Sequence, residues 1–224
     1  MTVPVPRFTL ERRLLREHSV VIACDEVGRG ALAGPVAVGA TVVDTRLSRS
    51  RVPAGLRDSK LVAEARRPEL AARVSGWVSA AAIGWASAAE IDDVGIIRAL
   101  GLAALRAIDE LSAAIDLTGA VVVLDGNHDY ITPAGGVLPV RPVIKADRDC
   151  AGAAAASILA KVARDEVMVT MHDEAPVYCW DRNKGYASLA HRDAIRTHGL
   201  SAHHRASWAI DPAASVAERA VLGR

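Results

Sequence analysis

The sequence predicts an α/β fold. Five short apolar runs rich in β-branched residues read as strands, and they are interleaved with segments of helical periodicity along the 224 residues. Three of the strand-like runs end in or lead into acidic side chains, which places candidate chemistry at one edge of the predicted sheet if those strands are neighbours.

Half of the residues are apolar and 24% are charged, a globular and not a disordered composition. The length suits one large domain, or one domain with a small appendage. The longest uncharged run, Val74 to Ala89, is shorter than a membrane span needs and is diluted by Ser75, Gly76, Ser79, Gly84 and Ser87. No apolar signal region occurs near Arg7 to Glu17, so a cytoplasmic protein without membrane contact is expected. Cys24, Cys150 and Cys179 are odd in number and far apart, which argues for three reduced thiols and against a disulfide framework or zinc site. The net charge of +1 leaves any nucleic-acid contact to local patches. One candidate is the stretch from Arg46 to Arg67, where seven cations face only Asp58 and Glu64. A solvated loop and helix face fits that count equally well.

Residues 1–18 read as a charged helical lead-in, with Leu10, Leu14 and Leu15 turned to a core. The first strand is expected over Ser19–Cys24, and a second over 36–43 after Pro35. A helix follows Lys60 to about Val74, and a third strand fits Gly76–Ala88 with a bend near Gly84. Ile97, Leu100, Ala104, Ile108, Leu111 and Ile115 recur every three or four residues and form one apolar helical stripe, with Asp92 or Asp93 as its cap. Ala120–Leu124 is a wholly apolar run of the kind buried on both faces of a sheet. Val137–Ile144 is a further strand-like run. The alanine-rich stretch from Cys150 to about Met171 predicts a closely packed helix, with Lys161 and Asp165 paired at i, i+4. Ser188 caps a short helix ending before Gly199, and Asp211-Pro212 opens a last one through about Leu222. His191, His198, His203 and His204 lack a matching metal-ligand pattern and read as surface or capping residues.

The candidate chemistry lies where strands end. The first strand delivers Asp25 and Glu26, followed by Gly28-Arg29-Gly30; Ala120–Leu124 delivers Asp125-Gly126; the run to Ile144 leads into Lys145-Ala146-Asp147. A solvated turn is the plainer reading of any one of these ends alone. If the strands are neighbours, Asp25, Glu26, Asp125 and Asp147 converge, and such an acidic cluster calls for cations, Mg²⁺ or Mn²⁺ before zinc. Gly28-x-Gly30 is not a dinucleotide-binding turn, because Pro35 and a β-branched run follow where that motif requires a helix.

These residues together resemble the bacterial ribonuclease HII family. The likeness runs through Asp25-Glu26-Val27-Gly28-Arg29-Gly30 and Leu32-Ala33-Gly34-Pro35, Asp58-Ser59-Lys60-Leu61, Asp125-Gly126 and Lys145-Ala146-Asp147. It continues through Ser157, Ala160-Lys161-Val162, Arg164-Asp165, Asn183-Lys184-Gly185-Tyr186 and His204-Arg205-x-Ser207, in the family's order over residues 19–208. Ala31, Ala187 and Trp208 depart from the usual pattern. The resemblance implies a ribonuclease H-like fold: a central mixed five-stranded sheet flanked by helices, with a catalytic core over about 19–170 and a C-terminal helical extension over about 171–224 in one domain. It implies a monomeric endonuclease that hydrolyses the RNA strand of RNA–DNA hybrids and incises at single ribonucleotides in duplex DNA, using two Mg²⁺ or Mn²⁺ ions. Asp25, Glu26, Asp125 and Asp147 would be the catalytic, metal-binding acids. Gly28, Arg29 and Gly30 would meet the ribose 2′-hydroxyl and Tyr186 would stack on the sugar. Ser59, Lys60 and Lys184 are candidates for backbone phosphates, although Lys60 also reads as an exposed lysine capping the following helix.

Overall fold

The computed structural model describes residues 5–208 and 210. Among them, five strands form one mixed sheet in the order β3-β2-β1-β4-β5. The strands are β1 (Val21–Val27), β2 (Val36–Val43), β3 (Ala80–Ala86), β4 (Val121–Asp125) and β5 (Val140–Val143). Strand β1 is antiparallel to β2 and parallel to β4, and β4 is parallel to β5. The chain ends of β1, β4 and β5 therefore lie along one edge of the sheet, where parallel α/β sheets place their sites.

Strand β1 runs past the expected end at Cys24, because its antiparallel pairing with β2 continues from Asp25–Gly39 to Val27–Ala37. The third strand is shorter than expected and passes through Gly84 in regular register with Val38. Two 3₁₀ turns, Ser59–Leu61 and Glu64–Arg66, precede helix α3 (Arg67–Ser75), which replaces the single expected helix there.

Two cores sandwich the sheet. On one face, α5 (Ile96–Ala114) lays Leu100, Ala104, Ile108 and Leu111 onto Ile22, Val38 and Val122, following the predicted stripe. Its start differs from expectation: Gly95 breaks the chain at φ +79°, and Asp92 belongs to the preceding helix α4 (Ala88–Val94). The Asp92 carboxylate instead accepts bonds from the backbone N–H groups of Ala206 (2.9 Å) and Ser207 (3.0 Å) and from the Ser207 hydroxyl (2.6 Å). On the other face, α7 (Ala151–Glu174) and α3 cover Val21, Ala23, Val121 and Val123. The run Ala151–Ala156 is buried and lets α7 approach closely: a Cβ at Gly39 would sit 2.5 Å from the Ala156 carbonyl oxygen. The shorter helices α1 (Thr9–Leu14) and α2 (Thr45–Ser48) close this side, and α6 (Ala146–Asp149) follows β5.

Beyond α7, helices α8 (Trp180–Asn183) and α9 (Leu189–His198) build a third small core from Tyr178, Trp180, Ala194 and Ile195 against Ala33 and Met168. This matches the expected C-terminal helical extension. The helix expected over 211–222 lies outside the described residues. No helix among the described residues is long and apolar enough to cross a membrane. Cys24, Cys150 and Cys179 are all unpaired thiols, as their spacing implies.

Candidate active site

Alternation along β1 separates its two acids. Val21, Ala23 and Asp25 face the α7 side, while Ile22, Cys24 and Glu26 face the α5 side. Asp25 is buried beside Ser157 of α7. Glu26 reaches the other side, where the Tyr130 hydroxyl donates to Oε2 (3.2 Å) and Arg29 pairs with Oε1 (3.3 Å). The adjacent parallel strand brings Asp125 to the same edge. Asp147 lies one turn beyond β5, not at a strand end: Lys145 adopts a left-handed conformation (φ 62°) and starts α6, whose Asp147 N–H donates to Asp125 Oδ1 (3.3 Å). All four acids are thus brought to one sheet edge.

The electrostatics show the cost of this crowding. Burial pushes the Asp25 carboxyl well above its ordinary range, and the charges of Asp125, Glu26 and Asp147 push it further. Asp147 is raised to about 6, first by burial, then by Asp125 and Asp58. Among the described residues, no three such groups close into a ready-made coordination sphere. The donor set suits hard divalent cations: it offers only carboxylate oxygens, and two of the acids carry a penalty that a cation would relieve.

Beside the acids lies a cleft of about 440 Å³, lined by Asp25, Glu26, Gly28, Arg29, Gly30, Ser59, Lys60, Lys161 and Tyr186. Gly28 has φ +86°, and a side chain there would collide with Arg164. Gly30 differs: a Cβ would meet nothing within 4 Å, so its backbone faces open space. The 3₁₀ turn Ser59–Leu61 is fastened to α7 through Ser157, whose hydroxyl donates to Ser59 Oγ (3.0 Å) and accepts from the Ser59 N–H (3.3 Å). From it the exposed Lys60 ammonium extends to 3.9 Å from Asp147 and 4.0 Å from Asp58. Against partial burial, the carboxylates of Asp58, Asp25, Asp147 and Asp125 hold Lys60 above the ordinary lysine range.

Lys184 is not brought into this cleft. Its ammonium binds the Asp181 carbonyl and sits 3.3 Å from Glu64. Lys161 joins Arg29 and Lys60 in the cleft instead, paired with Asp165 at 2.6 Å and 5.9 Å from the centre of the Tyr186 ring.

Two buried arginines hold the cleft's loops. Arg205 donates to the carbonyls of Gly28 (2.7 Å), Arg29 (2.9 Å) and Gly34 (3.1 and 3.3 Å). Arg164 donates to Pro35 (2.8 Å), Lys184 (3.0 Å) and Ala33 (3.2 Å), and lies 5.4 Å from the centre of the Tyr186 ring. Both are fully buried, and burial together with the nearby Arg164 pulls Arg205 down to about 10. The Gly185 carbonyl accepts from Leu32 (2.8 Å) and Ala33 (3.3 Å), so the glycine-arginine loop and the Tyr186 loop form one bonded unit.

Two histidines expected at the surface belong to this unit instead. His191 and His204 are buried. His191 Nδ1 faces the Tyr186 carbonyl (2.9 Å) and must carry hydrogen, and its Nε2 accepts from the Trp180 indole (3.0 Å). His204 Nδ1 accepts from the Ser201 N–H (2.9 Å), which leaves the proton on Nε2 to donate to His191 Nε2 (3.1 Å). This assignment requires both rings neutral. Burial lowers both, and adding His191 takes His204 to about 4. Because unfolded histidine titrates near 6.5, the stability from the pair is full above about 6.5 and is lost as pH falls towards 4. The urea midpoint should therefore fall more between pH 7 and pH 5 in the wild type than in His204→Gln; equal falls would contradict the neutral pair. His203, half-exposed near Glu174, and the exposed His198 fit the surface reading.

Comparison with known proteins agrees with the architecture and the motifs. The family model described as Ribonuclease HII matches residues 22–210. The ribonuclease HII of Streptomyces griseus is 45% identical over 91% of this chain and 84% of its own length. That of Wolbachia sp. subsp. Brugia malayi is 40% identical over 97% of this chain and 98% of its own length. Among solved structures, the ribonuclease H2 of Pyrococcus horikoshii shares the fold with a TM-score of 0.61 at 22% identity, covering 89% of this chain and 98% of that one. Bst-RNase HIII, solved in complex with Mn²⁺, gives 0.70 at 20% identity, covering 92% and 73%. The matched span takes in the acid-bearing strand ends, the glycine-arginine loop and the Tyr186 loop, and on that ground the chain belongs to the ribonuclease HII family.

Proposed function

We propose that this protein is an endonuclease that hydrolyses the RNA strand of RNA–DNA hybrids and incises duplex DNA on the 5′ side of a single embedded ribonucleotide. The observation that carries the reading is the meeting, at one sheet edge, of a carboxylate cluster, of which Asp25 and Glu26 line the cleft, with a backbone loop held open at Gly30 in the same cleft. An RNA-selective nuclease needs both: chemistry at the phosphate, and donors or acceptors for the 2′-hydroxyl that distinguishes ribose.

Asp25, Glu26, Asp125 and Asp147 would hold Mg²⁺ or Mn²⁺. Two such ions, when bound, supply the charge that favours attack by water and stabilises the departing oxygen. The chain's own residues do the rest. Tyr130 and Arg29 fix Glu26 from two sides, and Ser157 fixes the Ser59 turn beside Asp25. Gly28, Arg29 and Gly30 present backbone groups to the 2′-hydroxyl, while Ser59, Lys60 and Lys161 meet flanking phosphates. Lys184 acts through structure, anchoring its loop to Glu64. Departure of the 3′-oxygen of the upstream residue leaves a 3′-hydroxyl and a 5′-phosphate on the ribonucleotide.

Tyr186 supplies the test. Its ring lines the cleft, backed by Arg164 and Lys161. Stacking of a sugar or base on an aromatic ring contributes about 1–3 kcal/mol, so Tyr186→Ala should cut incision at a lone ribonucleotide about tenfold more than cleavage of a continuous hybrid. Parallel time courses on the two substrates measure this. Equal losses on both would contradict the assignment.

A further inference from the structure

The arginine-rich stretch after β2 builds a second cleft that the catalytic reading does not use. Its volume is about 650 Å³, and Arg57, Arg66 and Arg73 line it with one acid, Glu69. The 3₁₀ turn Ser59–Leu61 is the shared wall: Ser59 and Lys60 line the catalytic cleft, and Leu61 lines the second. None of the three arginines lies within ion-pair distance of a carboxylate among the described residues. Arg57 Nε donates to the Gly55 carbonyl (3.3 Å) and Arg73 Nη2 to Ala54 (3.1 Å). Such bonds orient a guanidinium without neutralising it, and leave most of its five donors for a ligand. Neighbouring arginines are treated differently: Arg67 is bonded to the Ser59 and Val62 carbonyls and faces Asp165.

Spacing narrows the ligand. Arg66 caps α3 and Arg73 lies two turns further on the same face, about 10 Å along the axis. Phosphates recur every ~3.4 Å of axis along one DNA strand, so two cations at that separation span about three steps. A phosphodiester backbone crossing the cleft would offer a phosphate to each of them. We infer that this cleft binds the phosphate backbone of the substrate duplex at positions beside the scissile linkage, on the side of the catalytic cleft bounded by Lys60. The inference rests on the nuclease reading above.

The test is the salt dependence of kcat/KM on a long duplex with one ribonucleotide, for wild type, Arg66→Gln, Arg73→Gln, the double variant, and Arg98→Gln. Arg98 is an exposed cation on α5, across the sheet from α3, and controls for net charge. Each cleft variant should reduce the slope of log kcat/KM against log salt by about 1 and the double variant by about 2, with a loss of about tenfold at low salt, whereas Arg98→Gln keeps the wild-type slope. Trimming one arm of the duplex should erase the difference between the double variant and wild type. Unchanged slopes, an equal effect of Arg98→Gln, or a deficit that persists when either arm is trimmed would each overturn the cleft assignment while leaving the nuclease reading intact. A wild-type enzyme that does not cut at the ribonucleotide would overturn that reading, and this one with it.

Discussion

Asp125→Asn should fold normally and lose about a thousandfold in turnover. The amide keeps the oxygen that accepts the Asp147 N–H, so the contact between β4 and α6 survives the change. What disappears is one of the four carboxyl groups at the sheet edge. Asp25 shows how strongly these charges act on one another, since Asp125 stands first among the carboxylates that raise it. Removing Asp125 relieves that repulsion and weakens the hold on cations together. A loss of about 4 kcal/mol of transition-state stabilisation, ordinary for charge placed at a reacting phosphate, corresponds to that thousandfold at 1.36 kcal/mol per decade. Single-turnover cleavage over a wide Mg²⁺ range checks it, alongside thermal unfolding to verify the fold. Near-normal turnover at high Mg²⁺ would remove Asp125 from the catalytic set.

Arg205→Met should be the most destabilising of the single changes discussed. Methionine fills much of the volume but donates nothing, and the carbonyls of Gly28, Arg29 and Gly34 lose their shared buried donor. Gly28 keeps its bond from the Ala31 N–H (3.1 Å), so the loss falls mainly on the Arg29 and Gly34 carbonyls. At about 1–3 kcal/mol for each acceptor left without a donor, together with the lost bond to Gly28, a net loss of about 4 kcal/mol is expected. At roughly 2–4 °C per kcal/mol for a chain of this size, the midpoint should fall by about 10 °C. Arg205→Lys, which keeps the charge but not the planar fork, should fall between the two. Well below the midpoint, the Met variant should also lose selectivity for ribonucleotide-containing duplex, because the glycine-arginine loop hangs from this side chain. An unchanged midpoint would refute the role of Arg205 as the loop's anchor.

The acids and glycines were legible because they interrupt apolar runs. Asp25, Glu26 and Asp125 end stretches that have no other place for a charge, and the parallel order of β1, β4 and β5 brings them to one edge. Opposed directions for Asp25 and Glu26 follow from strand alternation only if the strand continues past Cys24, which the sequence did not show, and burial on both faces of β1 erases the pattern that would tell which face each acid takes. Tyr130 gave no signal either, because its partner Glu26 is 104 residues away. Arg164 and Arg205 stand in the motifs that carry the resemblance, but nothing in those motifs shows that they are buried. A positive side chain in the sequence suggests solvent, and the carbonyls that turn these two into core lie as far as 131 and 177 residues away. His191 and His204 misled for a related reason: their stabilising partners are each other, Trp180 and backbone groups, not residues of a recognisable ligand pattern. Lys184 looked like a phosphate contact by its neighbours in sequence, yet a left-handed backbone at that residue accompanies an ammonium bound to Asp181 and Glu64.

The central claim is that one cleft joins metal-dependent phosphodiester hydrolysis to recognition of the ribose 2′-hydroxyl. A single gel tests it: wild type and Asp125→Asn, each with a duplex carrying one ribonucleotide, an RNA–DNA hybrid and an all-DNA duplex, in Mg²⁺, Mn²⁺ or chelator. The account predicts wild-type cleavage of the first two substrates with either metal, at the 5′ side of the ribonucleotide in the first, and none in chelator or on DNA. Cleavage of the all-DNA duplex, or cleavage that survives chelation, would contradict it.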